Sequence, residues 1–309
     1  MFSQQLNQIR IDLSLTPKAP LLIRSGRKGS ADPTRPELEC VRTAWGGRPS
    51  VYIPGSSLKG VMRSHAERLL LSEEVKITPT LPAANGGFDN STPGAIAYAG
   101  SSPLGRTFGN LSLKGHVAVS DHLPGAHAET NEERERLTDL ANAVEQRNGV
   151  AIDRLLGSAA GKALFDQELV VQGRFDGRIV LRNVQLYQLA LLLLVLRDLD
   201  EGYVQLGSGT TRGNGWVGAQ VREIVIETRL GKSKAGTLRG VGALLAEARE
   251  YDLFDRDEMV LPSEIPSKKH LVWDQVKVGP GQVDALAQNL IDGPWTAFLS
   301  RAKGQTWRA

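Results

Sequence analysis

The stretch that begins at Ile53, IPGSSLKGVMR, brings hydroxyl groups and cations together. Its Pro-Gly pair is typical of a turn, and Ser56 or Ser57 can cap a helix that begins there, which leaves the other hydroxyl free. Lys59 and Arg63 are four residues apart, so they would share a face near the first helical turn. A helix start with free N–H groups, hydroxyls and two cations can hold a phosphate. A capped surface helix with two solvated cations fits the same residues.

A second phosphate-binding pattern is the glycine-rich loop LGSGTTRGNG at residues 206–215. Glycine lets the backbone approach a ligand closely and present its N–H groups to phosphate. Arg212 adds a positive charge, and the two threonines before it add hydroxyl donors. A mobile turn before a strand is the alternative. The GxGxxG spelling at residues 213–218 does not indicate a dinucleotide site, because a strand and not a helix is expected after it.

Hydrophobic periodicity indicates the elements that position these two patterns. Ile9, Ile11 and Leu13 alternate with polar residues and predict a half-buried strand. The core elements are expected in the order strand, helix, strand, strand, helix, strand, over residues 6–15, 57–71, 116–120, 168–181, 184–200 and 219–227. That order is the ferredoxin-like split unit, an α+β fold.

The other segments are expected between or after these elements. A short hairpin is expected to close at residues 46–47, whereas residues 77–105 are rich in Pro, Gly, Ser and Asn and are expected to be irregular. A charged helix is expected to begin with a capping box at Thr130 and to end at Gly149. Two further helices are expected near the C-terminus, at residues 238–250 and 283–291.

Composition indicates a globular chain of 309 residues, of which 41% are hydrophobic, enough for one large core or two modest ones. The formal net charge of +3 and the pI of about 9.0 suit a nucleic-acid partner. The single cysteine excludes an internal disulfide framework and fits a reducing cytoplasm. The first ten residues are too polar for a secretory signal, and the apolar run at residues 189–196 is too short to span a bilayer. A soluble cytoplasmic protein with no membrane partner is therefore expected.

A group of side chains that can bind metals lies near the middle of the chain, at His116, Asp121, His122 and His127. These residues lack the fixed spacing of structural zinc sites, and the lone cysteine adds no support. No metal site is therefore predicted among them.

Four motifs together resemble the RAMP superfamily, the RNA-binding proteins of CRISPR effector complexes. The stretch IPGSSLKGVMR resembles the family signature, and TFGN at residues 107–110 resembles the family's LFGN. RNGVAIDR at residues 147–154, with Phe165 and Glu168 beyond it, is similar to the thumb segment of type III backbone subunits. The glycine-rich loop resembles the family's own loop, and the four motifs follow in the family's order.

The resemblance implies an architecture and a set of partners. The architecture is a ferredoxin-like (RRM-like) RAMP body over residues 1–227 with a thumb insertion at about residues 121–165. Residues 228–309 match no motif of the family and are expected to form a C-terminal extension packed on the body. The implied partners are guide RNA (crRNA), complementary target RNA, sister backbone subunits and other CRISPR effector subunits. The implied RNA-binding residues are Gly55, Ser56, Ser57, Lys59, Arg63, Arg147, Arg154, Gly207, Gly209, Thr211, Arg212 and Gly213.

The resemblance also implies cleavage of target RNA by an acidic residue in the loop before the signature. Aligning Arg42 with the family's basic residue puts Glu37 at the family's aspartate, and Asp32 is the nearest actual aspartate. A carboxylate there could hold Mg²⁺ (or Mn²⁺) or help to activate the 2′-hydroxyl, with Asp32 as the expected metal ligand. The alternative is a solvated acidic loop on a non-catalytic, crRNA-binding scaffold subunit.

A third interpretation is a RAMP endonuclease that processes precursor crRNA. That chemistry usually needs a general acid–base pair such as histidines, and only His65 lies near the signature. Its position on the expected helix, three residues after Met62, favours a packing role.

Overall fold

The computed structural model describes residues 4–25, 36–77, 92–152, 159–254, 257–262, 265–305 and 307. The strands are β1 (Asn7–Pro17), β2 (Arg42–Trp45), β3 (Arg48–Val51), β4 (Val117–Val119), β5 (Leu123–Pro124), β6 (Glu145–Ile152), β7 (Ala159–Leu169), β8 (Phe175–Arg182), β9 (Val217–Arg229), β10 (Thr237–Arg239), β11 (Glu258–Val260), β12 (Ser267–His270) and β13 (Trp273–Val278). The α-helices are α1 (Gly55–Ser72), α2 (Gly94–Gly100), α3 (Pro103–Phe108), α4 (Asn131–Asn142), α5 (Leu186–Asp200), α6 (Val241–Leu244), α7 (Val283–Leu290) and α8 (Thr296–Ala302).

The central sheet is antiparallel, in the order β12-β13-β9-β1-β8-β4, and β5 also pairs with β8. Along the chain its inner part follows the predicted sequence of elements, β1, α1, β4, β8, α5 and β9. The order β9-β1-β8-β4 is that of a ferredoxin-like sheet, so the predicted α+β fold class is confirmed. Strands β13 and β12 extend this sheet beyond β9.

The sheet has one apolar face and one charged face because side chains alternate along each strand. In β1, Ile9 and Ile11 are buried in the main core, whereas Arg10 and Asp12 lie on the opposite face. Arg10 forms ion pairs with Asp12 at 3.1 Å and with Glu223 of β9 at 2.8 Å. The apolar face packs against helices, and the other face carries a network of ion pairs.

Helix α5 is apolar all round, which is typical of a helix buried on every side. The sheet covers one side of it, and the C-terminal helices cover another. The ring of Tyr187 at its start stacks on Phe298 of α8, with ring centroids 4.1 Å apart. The residues after β9 therefore supply part of the main core.

Three predicted boundaries were wrong. Residues 168–181 form the end of β7 and most of β8, because the chain turns at Gly173, where φ is 110° and Ala141 leaves no room for a side chain. The charged helix α4 ends at Asn142 and not at Gly149, since the following residues pair with β7 as strand β6. Helix α2 and the start of α3 lie within residues 77–105, where irregular structure was expected. Ser102 caps α3 by accepting a hydrogen bond from the Gly105 N–H.

The helix expected at residues 238–250 was also wrong. This segment forms strand β10, the short helix α6 and a 3-10 turn. Gly240 and Gly242 lie against the buried side chain of Asp257, whose carboxylate accepts hydrogen bonds from the backbone N–H groups of Leu186 and Gly242. This long-range contact with the start of α5 overrides the local helical pattern. The expected helix near the C-terminus and the hairpin turn at residues 46–47 were correct.

Candidate nucleic-acid interface

The start of α1 is docked onto the end of strand β4. The Gly55 N–H donates a hydrogen bond to Oδ1 of Asp121 at 2.8 Å, and a side chain on Gly55 would come within 2.3 Å of the Val119 carbonyl oxygen. Ile53 and His122 exchange two backbone hydrogen bonds, of 3.0 and 2.9 Å. Gly55 is thus required by the close approach of α1 to β4, and a serine in its place would collide with backbone.

The predicted serine cap is wrong. Pro54 occupies the N-cap position and α1 has no side-chain cap, because Asp121 receives the first N–H of the helix instead. Ser56 and Ser57 lie inside the first turn, where Ser56 is exposed and Ser57 half-buried. Both hydroxyls lie in the first turn of α1, and neither caps it.

Lys59 and Arg63 form a cationic pair along α1. Burial lowers the pKa of the Lys59 ammonium, and the positive charge of Arg63 lowers it further. Arg63 donates a hydrogen bond to the carbonyl oxygen of Gly109 in the TFGN motif. An anion bound beside Lys59 would relieve this repulsion and replace the lost solvation, so the pair favours a phosphate ligand.

The TFGN motif supports Arg63 through the backbone. Gly109 has φ 95° and lies against Gly115, so a side chain there would be both strained and obstructed. The Asn110 side-chain amide donates a hydrogen bond to Oγ of Ser101 at 3.0 Å. The motif therefore positions the carbonyl group that holds Arg63.

The glycine-rich loop is pinned at both ends to the segment that follows β1. The Ser208 N–H donates to the Leu22 carbonyl, and the Gly215 N–H donates to the Pro20 carbonyl, each at 2.8 Å. Gly207 has φ 87°, and a side chain there would come within 2.3 Å of the Leu22 carbonyl oxygen. Glycine is thus required at the base of the loop for close packing.

The tip of this loop is a single 3-10 turn, Thr210–Arg212, between two left-handed glycines, Gly209 and Gly213. Thr211 and Arg212 are exposed, as is Gly213. The turn therefore presents a cation, a hydroxyl group and unobstructed backbone to solvent. This arrangement suits a phosphate of an extended nucleic-acid strand.

The β6–β7 hairpin, which includes the end of the predicted thumb, reaches the tip of the glycine-rich loop. Phe165 of β7 lies opposite Gly149 of β6, and its ring covers the position that a Gly149 side chain would take, at 2.2 Å. The Arg212 guanidinium lies 5.5 Å from the centre of the Phe165 ring, within the range of a cation–π contact. Of the predicted thumb cations, Arg147 is exposed and pairs with Glu145, and Arg154 lies outside the described residues.

The acidic segment is the part of the loop before the signature that contains Asp32 and Glu37. Its described end runs beside strand β7. The Leu38 N–H donates to the Asp166 carbonyl at 3.0 Å, and the Glu168 N–H donates to the Leu38 carbonyl at 2.9 Å. Arg42 pairs with the Glu168 carboxylate at 2.9 Å. Glu37 is exposed next to this junction, and Asp32 lies outside the described residues.

The structure brings two groups of predicted residues to one end of the sheet. Pro17 pairs with Val217 and Leu15 with Phe175, so the glycine-rich loop and the starts of β8 and β9 lie at the end where β1 finishes. The docking of α1 on the end of β4 puts Lys59's helix at the same end. Strands β9 and β4 are three strand spacings apart, about 14 Å. The two groups can therefore contact separate parts of one RNA strand.

Burial disfavours the charged form of two histidines, His116 and His122. His116 donates from Nδ1 to the Arg182 carbonyl at 2.6 Å and accepts at Nε2 from the Tyr98 hydroxyl at 2.9 Å. His122 donates from Nδ1 to the Ser120 carbonyl at 3.0 Å, and its Nε2 is buried without a partner. Burial lowers the pKa of each ring to about 4. Over the described part of the chain, no three His, Cys, Asp or Glu side chains are grouped so as to hold a metal ion.

This predicts that acid weakens the docking of α1 through His122. The unfolded chain takes up a proton below the ordinary pKa of 6.5, whereas the folded ring does so only near 4. The stability contributed by neutral His122 is therefore present above pH 6.5 and lost as the pH falls towards 4, by up to about 3 kcal/mol. His122→Leu should reduce the loss of unfolding free energy between pH 6.5 and 4.5, measured by urea titration at each pH.

A matched control is His270→Gln, which changes an exposed histidine of β12. That variant should keep the wild-type dependence of unfolding free energy on pH. An identical dependence in His122→Leu and wild type would show that His122 does not carry the acid sensitivity.

The sheet order and the two helices define the class of this protein as ferredoxin-like α+β. The sequence model of the RAMP superfamily matches residues 15–218, which include the signature helix, the TFGN motif, the thumb and the glycine-rich loop. The chain belongs to the RAMP superfamily. Its members are CRISPR-associated proteins that bind CRISPR RNA within complexes. No protein of curated function matches the chain. None of the helices in the described residues is long and apolar enough to cross a membrane.

Proposed function

We propose that this protein is a backbone subunit of a type III CRISPR effector complex. It binds crRNA, assembles with sister subunits and other effector subunits along it, and cleaves complementary target RNA with a divalent metal, Mg²⁺ or Mn²⁺. The observation that carries the proposal is the junction at which the thumb, the glycine-rich loop and the acidic segment meet. Phe165 contacts Arg212 there, and Leu38 pairs with β7.

The predicted RNA contacts are to the backbone of the guide and not to its bases. Ser56, Ser57 and Lys59 lie on the first turns of α1, and Thr211 and Arg212 lie at the loop tip. Hydroxyl groups, cations and backbone N–H groups bind phosphate and sugar without reading sequence. A subunit of this kind accepts any guide, which is what a repeated backbone subunit requires.

Precursor processing by a histidine pair has less support. His65 is buried between α1 and α5, and its Nε2 lies 2.6 Å from Oδ2 of Asp198. This contact gives the ring a packing role between the two helices, with only 11% of its side chain exposed. The catalytic step is therefore assigned to the acidic segment, with Glu37 and Asp32 as its candidates.

Guide binding is tested by the salt dependence of RNA affinity. We expect the wild-type protein to co-purify with short RNAs of uniform length. In Lys59→Ala and Arg212→Ala, affinity should fall for every guide sequence alike, and the slope of log K against log salt should fall by about 0.7 for each phosphate contact removed. The measurement is fluorescence anisotropy of labelled single-stranded RNA at several salt concentrations.

Lys268→Ala is the control, since it removes an exposed cation of β12, at the opposite edge of the sheet from the signature. It should leave the slope close to that of wild type. Equal slopes in all four proteins would contradict the assignment of Lys59 and Arg212 as phosphate ligands, and a wild-type protein without affinity for RNA would overturn the proposed function.

A further inference from the structure

Trp216, at the end of the glycine-rich loop, has one covered face and one open face. Its indole lies flat on Gly202, where a side chain would come within 2.9–3.0 Å of Nε1, Cδ1 and Cε2. Gly202 has φ 80° at the end of α5, a conformation that glycine adopts without strain. Trp216 is nevertheless 43% exposed. An indole held in this way presents its free face to solvent.

The position of this indole is fixed before any ligand binds. Its Nε1–H donates a hydrogen bond to the Asp200 carbonyl at 3.1 Å. The Trp216 carbonyl accepts from the N–H groups of Lys18 and Ala19, at 2.9 and 3.1 Å. A side chain that is already ordered loses little conformational entropy when a ligand stacks on it.

A cavity of about 330 Å³ lies between Trp216 and the glycine-rich loop, near the lower end of the range for small-ligand sites. Its polar lining can serve as both donor and acceptor. Gln205 uses its Nε2 on the Gly202 carbonyl at 2.8 Å, which leaves its amide oxygen as an acceptor. Asn214, only 6% exposed, adds a side-chain amide to the lining. Thr210 and Glu201 complete the polar lining.

We propose that this cavity takes one unstacked nucleobase of the bound RNA strand, which stacks on the free face of Trp216. The inference rests on RNA binding in the proposed function. Every base has an aromatic face, and an amide or a hydroxyl group can turn to meet either a donor or an acceptor on its edge, so the site tolerates all four bases. The cavity shares Thr210 and Gly213 with the loop whose tip carries Arg212, so a nucleotide whose phosphate lies at Arg212 has its base within reach.

The test measures the affinity of the full chain for a 12-nucleotide RNA by fluorescence anisotropy. Stacking on one aromatic residue contributes about a tenfold gain in affinity, so Trp216→Ala should raise the Kd about tenfold. Trp216→Phe keeps an aromatic ring and should stay closer to wild type. Tyr203→Ala is the matched control, because Tyr203 is 71% exposed on the adjacent turn and does not line the cavity. Thermal melting of each variant establishes that it is folded.

A second measurement locates the base directly. RNA that contains 4-thiouridine is bound to the full chain and irradiated. We expect the crosslinked peptide to contain Trp216. A Kd of Trp216→Ala within twofold of wild type, or an equal loss in Tyr203→Ala, would overturn the inference. Unchanged affinity combined with loss of subunit assembly would also overturn it and assign Trp216 to a protein contact. If Trp216→Ala binds RNA as tightly as wild type, only this inference is contradicted and the proposed function is retained. If the wild-type protein binds no RNA, both the inference and the proposed function are contradicted.

Discussion

Replacing Arg106 with alanine is expected to lower the free energy of unfolding by about 3–5 kcal/mol, because it removes one partner from a buried set of polar groups. The Arg106 side chain is only 2% exposed. Its guanidinium lies between two aromatic rings, 5.0 Å from the centre of Tyr98 and 4.8 Å from that of Trp307. Its nitrogens donate to the carbonyl oxygens of Tyr98, Ala99, Ser101 and Asp252 and to the Asp252 carboxylate.

The loss of stability arises mainly from the hydrogen-bond acceptors that no longer have a donor. Without Arg106 four carbonyl groups and one carboxylate lose a donor, and two of them, the carbonyl groups of Tyr98 and Ser101, are buried. Arg106 also joins α2 and α3 to the C-terminal segment, since Asp252 pairs with both Arg106 and Arg301. The substitution should therefore loosen the TFGN motif that holds Arg63, and weaken RNA binding as well as stability.

Two further variants test whether the loss of unfolding free energy depends on the shape of the guanidinium group and on its burial. Arg106→Lys keeps the charge but lacks the planar fork that reaches several carbonyls, so it should remain strongly destabilised. Arg178→Ala removes an arginine that is 53% exposed and paired with Asp12, and it should change the unfolding free energy by less than about 1 kcal/mol. Urea unfolding midpoints provide the comparison. A midpoint for Arg106→Ala close to that of Arg178→Ala would contradict this role.

The elements that could be predicted from sequence are those whose periodicity is set by burial in one large core. Strands β1 and β9 and helices α1 and α5 each keep the pattern of their own face, and that pattern is independent of the distant partner. The split strand at Gly173 could not be predicted in this way. The chain turns at Gly173, where Ala141 of α4 lies against the backbone. These two residues are 32 positions apart, so no local sequence pattern indicates their contact.

Residue types alone predict phosphate ligands at Lys59 and at Arg212 of the glycine-rich loop, and this assignment stays a prediction. The contacts that position these residues could not be predicted from the sequence. The partner of the Gly55 N–H could not be read from the signature, because Asp121 follows a strand far along the chain. A Pro-Gly start without a free cap, followed later by an aspartate at a strand end, is the sequence signal that could have indicated this docking.

The proposed cleavage of target RNA has the largest expected functional effect, and we expect it to depend on the acidic segment. Scission needs the attacking 2′-oxygen, the phosphorus and the leaving oxygen in line, and the thumb can impose this by splaying one nucleotide. A carboxylate of this segment, at Asp32 or Glu37, would hold Mg²⁺, which would supply several kcal/mol of charge stabilisation on the phosphate. Asp32 is the first candidate because the resemblance to the family implies an aspartate, and Glu37 occupies the better-aligned position.

Substituting the metal-binding carboxylate is expected to slow cleavage by on the order of a thousandfold without weakening guide binding. A complex reconstituted on crRNA is given labelled complementary RNA with Mg²⁺, and then with chelator. Regularly spaced products should require the metal. They should disappear in one of the two variants, Asp32→Ala or Glu37→Ala, whichever removes the carboxylate that holds the metal. Glu145→Ala, which removes an exposed thumb carboxylate paired with Arg147, is the control and should keep the wild-type rate.

The position of the carboxylate separates the two candidates. Glu37 is exposed, and its neighbour Leu38 holds the backbone against β7. Glu37→Asp shortens the side chain and moves the carboxylate by about an ångström. If that carboxylate holds the metal, the cleavage rate should fall on the order of a hundredfold. If Asp32 is the ligand, Glu37→Asp keeps the wild-type rate and Asp32→Glu carries the loss. Intact target RNA with the wild-type complex, or cleavage that survives both alanine substitutions, would make this chain a crRNA-binding scaffold whose partner subunits cut.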